Sequence, residues 1–171
     1  MIVFGTRPEA IKLAPVIKEF EKYPKKIKII KVATAQHRQM LDQVLKVFNI
    51  TTDYDLNIMK KKQNLTQITT LIIQGLDKII EKEKPDILLV QGVTTTAFSA
   101  TLSAFYHKIS IGHIEAGLRT YDKFNPYPEE INRKLISAIA DLHFAPTVSA
   151  CDNLLKENIS KNKIHITGNT V

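Results

Sequence analysis

Three short stretches of this chain carry residue types that could do chemistry at a charged ligand. The first is Gly5-Thr6-Arg7-Pro8-Glu9-Ala10-Ile11-Lys12, directly after the apolar run Ile2-Val3-Phe4. It reads as a strand, a glycine turn and a helix with proline in its first turn. Free backbone N–H groups, Arg7 and Lys12 would then aim at one point, an arrangement that receives an anion, phosphate above all. Glu9 reads only as compensation of the helix dipole. The second stretch, Gly112-His113-Ile114-Glu115-Ala116-Gly117-Leu118-Arg119, brings Glu115 to a strand end, as an acid, a base or an acceptor for a sugar hydroxyl. His113 and Glu115 should alternate onto the same side of that strand. A His-x-Glu metal site needs further ligands at suitable spacing, and none follow, so no metal is expected. In the third, Pro126-Tyr127-Pro128-Glu129-Glu130-Ile131-Asn132-Arg133, two carboxylates fall in one helical turn. Dipole compensation and a Glu129–Arg133 pair account for one of them, at only a few tenths of a kcal/mol. The rigid Pro-x-Pro ahead of them holds the turn in place.

These stretches need elements to position them. Strand-like and helix-like segments alternate: strands at Ile2–Phe4, Ile27–Thr34, Asp86–Val90, Ser110–Ile114, Leu142–Phe144 and Lys163–Ile166. Helices are expected at Pro8–Tyr23 (bent by Pro15), His37–Phe48, Asn64–Glu83, Thr95–Tyr106, Pro128–Ala140 and Val148–Asn158. A repeated βα pattern of this kind predicts an α/β fold with a doubly wound, Rossmann-like parallel sheet. Such sheets bind ligands at the carboxyl ends of their strands. Gly5-Thr6-Arg7, Gln91-Gly92-Val93-Thr94-Thr95 and Glu115-Ala116-Gly117 all follow predicted strands and should meet at one edge. The threonines of the middle segment serve either as helix caps or as pocket donors. The glycine turn is not a P-loop, and there is no G-x-G-x-x-G, which argues against a triphosphatase or a dinucleotide cofactor.

Composition bounds the rest. A length of 171 residues suits one domain with a real core, and no apolar stretch would span a membrane. The one cysteine, Cys151, excludes an internal disulfide framework and fits a reducing cytoplasm. The net charge of +7 raises nucleic acid as a partner. However, the lysines are scattered, and the clusters at Lys25-Lys26 and Lys60-Lys61-Lys62 lack interleaved aromatics for base stacking. A solvated lysine face is the simpler reading. The four arginines, Arg7, Arg38, Arg119 and Arg133, all fall in segments already singled out, and arginine offers a phosphate or carboxylate fork that lysine does not.

With these motifs assembled, the chain resembles the non-hydrolysing bacterial UDP-N-acetylglucosamine 2-epimerases. Gly5–Pro15, Ala35-Gln36-His37-Arg38-Gln39-Met40-Leu41, Asp55-Leu56-Asn57-Ile58-Met59, Gly112–Arg119, Pro128–Arg133 and Ile166–Thr170 carry the resemblance, in order along the whole chain. It implies one half of a glycosyltransferase-B type fold, with residues 1–171 as the N-terminal domain and a UDP-binding C-terminal domain absent. It further implies conversion of UDP-GlcNAc to UDP-ManNAc by elimination and re-addition of UDP, without cofactor. By match to the family, Glu115 and Glu129 are the catalytic carboxylates. Arg7, Lys12, Thr94, His113 and Arg119 bind substrate, and Gln36, Gln39, Lys62 and Glu130 belong to a regulatory UDP-GlcNAc site. Lys62 stands where an arginine is usual. The family's strand-end motif His-Gly-Asp-Thr-Thr is here Gln91-Gly92-Val93-Thr94-Thr95, and Val93 replaces a presumed catalytic aspartate. The expected partners are a UDP-sugar and either a second copy or a complementing C-terminal chain, with neither nucleic acid nor membrane. The rival reading within the fold is a sugar-nucleotide-binding remnant or regulatory module without turnover. A hydrolysing epimerase would instead release free ManNAc.

Overall fold

A computed structural model describes residues 1–35, 38–60 and 62–171, with Arg38 described by its backbone alone. Among the described residues seven strands, β1 (Ile2–Phe4), β2 (Lys31–Ala33), β3 (Tyr54–Asp55), β4 (Ile87–Gln91), β5 (Ser110–Ile114), β6 (Leu142–Ala145) and β7 (Ile164–Ile166), form one sheet. The strands are all parallel, in the order β3-β2-β1-β4-β5-β6-β7. The chain winds outward from the centre in both directions, so the order reverses between β1 and β4, the crevice where doubly wound folds take ligands.

Among the described residues six α-helices make the crossovers: α1 (Arg7–Phe20), α2 (Arg38–Val47), α3 (Leu65–Glu83), α4 (Thr95–Tyr106), α5 (Glu129–Ile139) and α6 (Val148–Lys156). On one face Val3, Val32, Leu88, Val90 and Ile111 pack with Ile72, Leu76, Ala100 and Ile136. On the other, Ile2, Phe4, Ala33 and Leu89 pack with Leu13, Ile17 and Leu41. The central strands are buried on both faces, as a parallel sheet requires. The buried residues of α4 are small (Ala97, Ser99, Ala100, Ser103, Ala104), so its backbone lies close to its neighbours. The hydroxyls of Ser99 and Ser103 are satisfied by donating back along the helix to Thr95 O and Ser99 O. α3 begins with a reciprocal cap between Asn64 and Gln67 and ends on Lys84 in the left-handed region, just before Pro85.

The βα order matches the sequence reading, with two differences in extent. Only Lys31–Ala33 of the expected strand Ile27–Thr34 is in the sheet, because its neighbour β1 is three residues long and offers no further ladder. The two-residue edge strand β3 lies in a stretch read only as a motif. It is too short for any periodicity to register.

Candidate functional site

The connections after β1, β4 and β5 meet at the carboxyl edge of the sheet. There Lys12 forms an ion pair with one carboxylate oxygen of Glu115, and the Gln91 amide donates to the other. The Lys12 side chain is a quarter exposed and that of Glu115 is 16% exposed, so the pair borders solvent. Glu115 sits at φ 66°, a left-handed conformation unusual outside glycine and costly for a branched or bulky side chain. Such strain collects at functional positions. Both His113 and Glu115 approach Gly92 in the turn after β4, Glu115 with its carboxylate 3.8 Å from where a Gly92 Cβ would stand. His113 is fully buried, donating from Nε2 to Gly92 O at 2.7 Å. Burial pushes its pKa down to about 3, which keeps the ring neutral.

The turn after β1 departs from its expected form. The N–H groups of Gly5 and Thr6, read as free to receive an anion, donate to Glu9 Oε2 at 2.9 and 2.7 Å. The Thr6 hydroxyl donates to the same oxygen at 2.8 Å. The helix therefore supplies its own anion, and Arg7 and Lys12 are left as the cationic groups of the turn. Gly5 is required by close approach. A Cβ there would lie 2.1 Å from Thr34 Oγ1 and 2.4 Å from Thr96 Oγ1. Arg7 is exposed and lines a recess with Ile11, Gln43, Val44 and Phe48.

Thr94 caps α4 by accepting from Ala97 N, and its own proton goes to Glu9 Oε1 at 2.6 Å. Arg119 was expected at the ligand, but its guanidinium is buried and four of its five N–H groups are engaged within the domain. It donates twice to Glu157 and once each to Ser137 Oγ and Leu118 O. Glu130 is likewise internal. Its carboxylate accepts from the backbone of Thr120 and Tyr121 and lies 3.0 Å from Arg133 Nε, so it shapes the 118–128 loop. These groups are built into the domain because a buried charge without a partner is strongly disfavoured. Gln39 and Lys62 are exposed, and Lys62 borders a recess with Lys60, Gln63, Thr66 and Gln67. Gln36 lies outside the described residues.

Glu129 opens α5, and its Oε2 is buried without a hydrogen-bond partner. Burial lowers the pKa of Arg133, while the carboxylates of Glu130, Glu129 and Glu115 act in the opposite direction, so Arg133 senses all three. Asn132 donates to the Val93 carbonyl and ties α5 to the turn after β4. The sequence reading missed Gln91 and Asn132 as contributors and read Glu9 as mere dipole compensation. The Thr6-x-x-Glu9 capping-box spacing would have flagged Glu9. Among the described residues no cluster of three or more metal-binding side chains occurs, and no helix is long and apolar enough to cross a membrane.

The model of the UDP-N-acetylglucosamine 2-epimerase family matches residues 18–171. The UDP-N-acetylglucosamine 2-epimerase of Bacillus subtilis is 59% identical over 170 residues, covering 99% of this chain and 44% of the relative. That of Neisseria meningitidis is 57% identical over the whole chain and 46% of its own length. Its crystal structure bound to UDP-GlcNAc superposes with a TM-score of 0.94 over 99% of this chain and 46% of that one. The enzyme of Methanocaldococcus jannaschii, in complex with UDP-GlcNAc and UDP, gives 0.92 at 40% identity, over 98% of this chain and 46% of that one. The lipopolysaccharide outer core galactosyltransferase WaaB, at 15% identity and 0.67, shares the fold alone. The chain thus spans less than half the length of the relatives it matches.

Proposed function

The chain belongs to the UDP-N-acetylglucosamine 2-epimerase family, and we propose that its carboxyl-edge cluster is the sugar-facing half of a site that interconverts UDP-GlcNAc and UDP-ManNAc. The observation that carries this reading is the Lys12–Glu115 ion pair, together with a second carboxylate, Glu129, whose buried oxygen has no partner and whose charge acts on Arg133 alongside that of Glu115. Unpaired buried polar atoms are rare and call for a ligand or a chemical role.

The C2 proton of the sugar is not acidic, so departure of UDP must lead. The C1–O bond breaks, UDP leaves with the electron pair, and positive charge develops at C1. Arg7 and Lys12 stabilise the departing diphosphate. Loss of the C2 proton to a carboxylate gives a glycal. UDP then re-adds at C1 while a second proton, drawn from solvent through a protonated group on the other side, is delivered to the opposite face of C2. Glu129, with its free oxygen, is the better proton acceptor. Glu115, held by Lys12 and Gln91, stabilises the cationic carbon. No metal or nicotinamide is needed for this sequence. Thr94, His113 and Arg119 act by holding the loops that carry these groups, Gln39, Lys62 and Gln36 belong to a regulatory sugar-nucleotide site, and the buried Glu130 supports that region from within by holding the 118–128 loop. The remaining contacts to uridine come from sequence of the kind that the longer relatives carry outside the matched part, in the same chain or in a complementing one. A single cysteine and a nucleotide-sugar substrate fit a cytoplasmic location.

A second reading, binding without turnover, is favoured by Val93. Its carbonyl bonds Asn132 and its side chain transfers no proton. Incubation with UDP-GlcNAc in D₂O, followed by NMR at C2, separates the two. Deuterium at C2 is expected, with a gain of about 10² or more in Val93→Asp, the scale of one general acid–base group. Binding without exchange in either protein would leave the non-catalytic reading, and free ManNAc would mark a hydrolysing enzyme.

A further inference from the structure

We propose that Glu9 is a positioning residue of this site, a buried strut that fixes the turn carrying Arg7 and Lys12 to the turn carrying Thr94. Its side chain crosses between connections that lie 85 residues apart in sequence. Oε2 takes three donors from the β1–α1 turn and Oε1 takes the Thr94 hydroxyl from the β4–α4 turn. The residue is only 1% exposed. A carboxylate that merely offset the α1 dipole would do so equally well in water, without losing its hydration. Full burial is instead what a group bridging two packed turns requires.

The packing around it leaves no slack. The Gly5 backbone rests on the Thr34 and Thr96 hydroxyls, which lie 3.1 Å from each other, so the start of α4 and the β1–α1 turn already touch beneath the strut. The Thr94 oxygen has one proton, which it gives to Glu9, and it receives Ala97 N–H. Its orientation is therefore dictated by Glu9, and so is the entry of the β4–α4 turn that contains Val93. Lys12 lies one helical turn beyond Glu9 on α1 and reaches Glu115, so a shift of the α1 start would alter that pair.

Only the choice of UDP as probe rests on the functional reading above. Amide hydrogen exchange and UDP affinity would be measured on the wild-type chain, Glu9→Gln, Glu9→Asp and Thr94→Ser. Glu9→Gln keeps the length and loses the charge. Glu9→Asp keeps the charge but is one methylene too short to bridge. In both, Ala97 N–H should exchange about tenfold faster, the scale of one lost charge-assisted hydrogen bond, and UDP should bind the folded protein about tenfold more weakly. In Thr94→Ser, which retains the hydroxyl, Ala97 N–H should exchange as in the wild type. Changes confined to the amides of Gly5, Thr6 and the first turn of α1 would overturn the strut and leave Glu9 a local cap. Should one variant not fold, the other decides. If the wild-type chain does not bind UDP, Ala97 exchange still decides the strut, and the ligand reading alone falls.

Discussion

The turn after β1 and the segment after β5 solve one problem by different means. Each contributes one charged group to the cluster, Lys12 and Glu115, and each encloses a second charge that the domain satisfies internally, Glu9 by hydrogen bonds and Arg119 by an ion pair. In the β1 turn the work is done by side chains. The capping box of Thr6 and Glu9 holds the helix start, and the cation Lys12 sits at the end of four rotatable methylenes. In the β5 segment it is done by the backbone. Glu115 itself is left-handed, and two residues later Gly117 has φ 91°. One partner of the ion pair can therefore adapt to a ligand, while the other is fixed in place before any ligand arrives. Such a division suits the proposed site, in which the diphosphate would move and the carboxylate would not.

The contrast breaks most directly at the two glycines. A Cβ on Gly117 would lie 2.2 Å from the Ala150 carbonyl oxygen, which is backbone of α6, in a conformation already unfavourable to alanine. Gly117→Ala should lower stability by about 3 kcal/mol or more in urea unfolding. Gly5→Ala meets side chains rather than backbone, in a conformation that alanine can adopt, and should cost about 2 kcal/mol. Equal losses would mean that the two regions are equally yielding.

Acid tests the β5 side. His113 is pushed down from its ordinary 6.5 to about 3, and His143, paired beside it on β6, to about 4, both chiefly by burial. Below pH 6.5 the unfolded chain binds protons that the folded chain refuses, so this stability is present above 6.5 and is lost progressively down to about pH 3. His113 alone should remove about 3 kcal/mol by pH 4.5. His113→Asn, which retains a donor for Gly92 O, should flatten that part of the profile. A urea midpoint that does not move between pH 7 and 4.5 would show that the ring finds a way to charge in place.

The smallest effect is expected at the adaptable partner. Lys12→Met removes the ion pair, but the pair borders water and lysine keeps its freedom there, so stability should fall by less than about 1 kcal/mol. The same substitution should abolish measurable UDP binding. A larger stability loss would mean that Lys12, too, is structural.

Much of this was legible without coordinates. The alternation of elements gave the parallel sheet, and the three strand-end motifs gave the edge where they meet, because hydrophobic period and glycine placement are local properties of the chain. Local sequence also carried Gly5, Lys12, Glu115 and Glu129 as the residues of interest. The internal neutralisation of charge was not legible. Arg119 and Glu157 are 38 residues apart, and Glu9 and Thr94 are 85 apart. Nothing in either segment alone says whether an arginine or a glutamate faces a ligand or another side chain. Sequence thus determined which elements form and which motifs reach the carboxyl edge. Only the tertiary structure decided which of their charges are enclosed and which remain at the solvent border, because burial and pairing depend on groups that the fold brings together from distant parts of the chain.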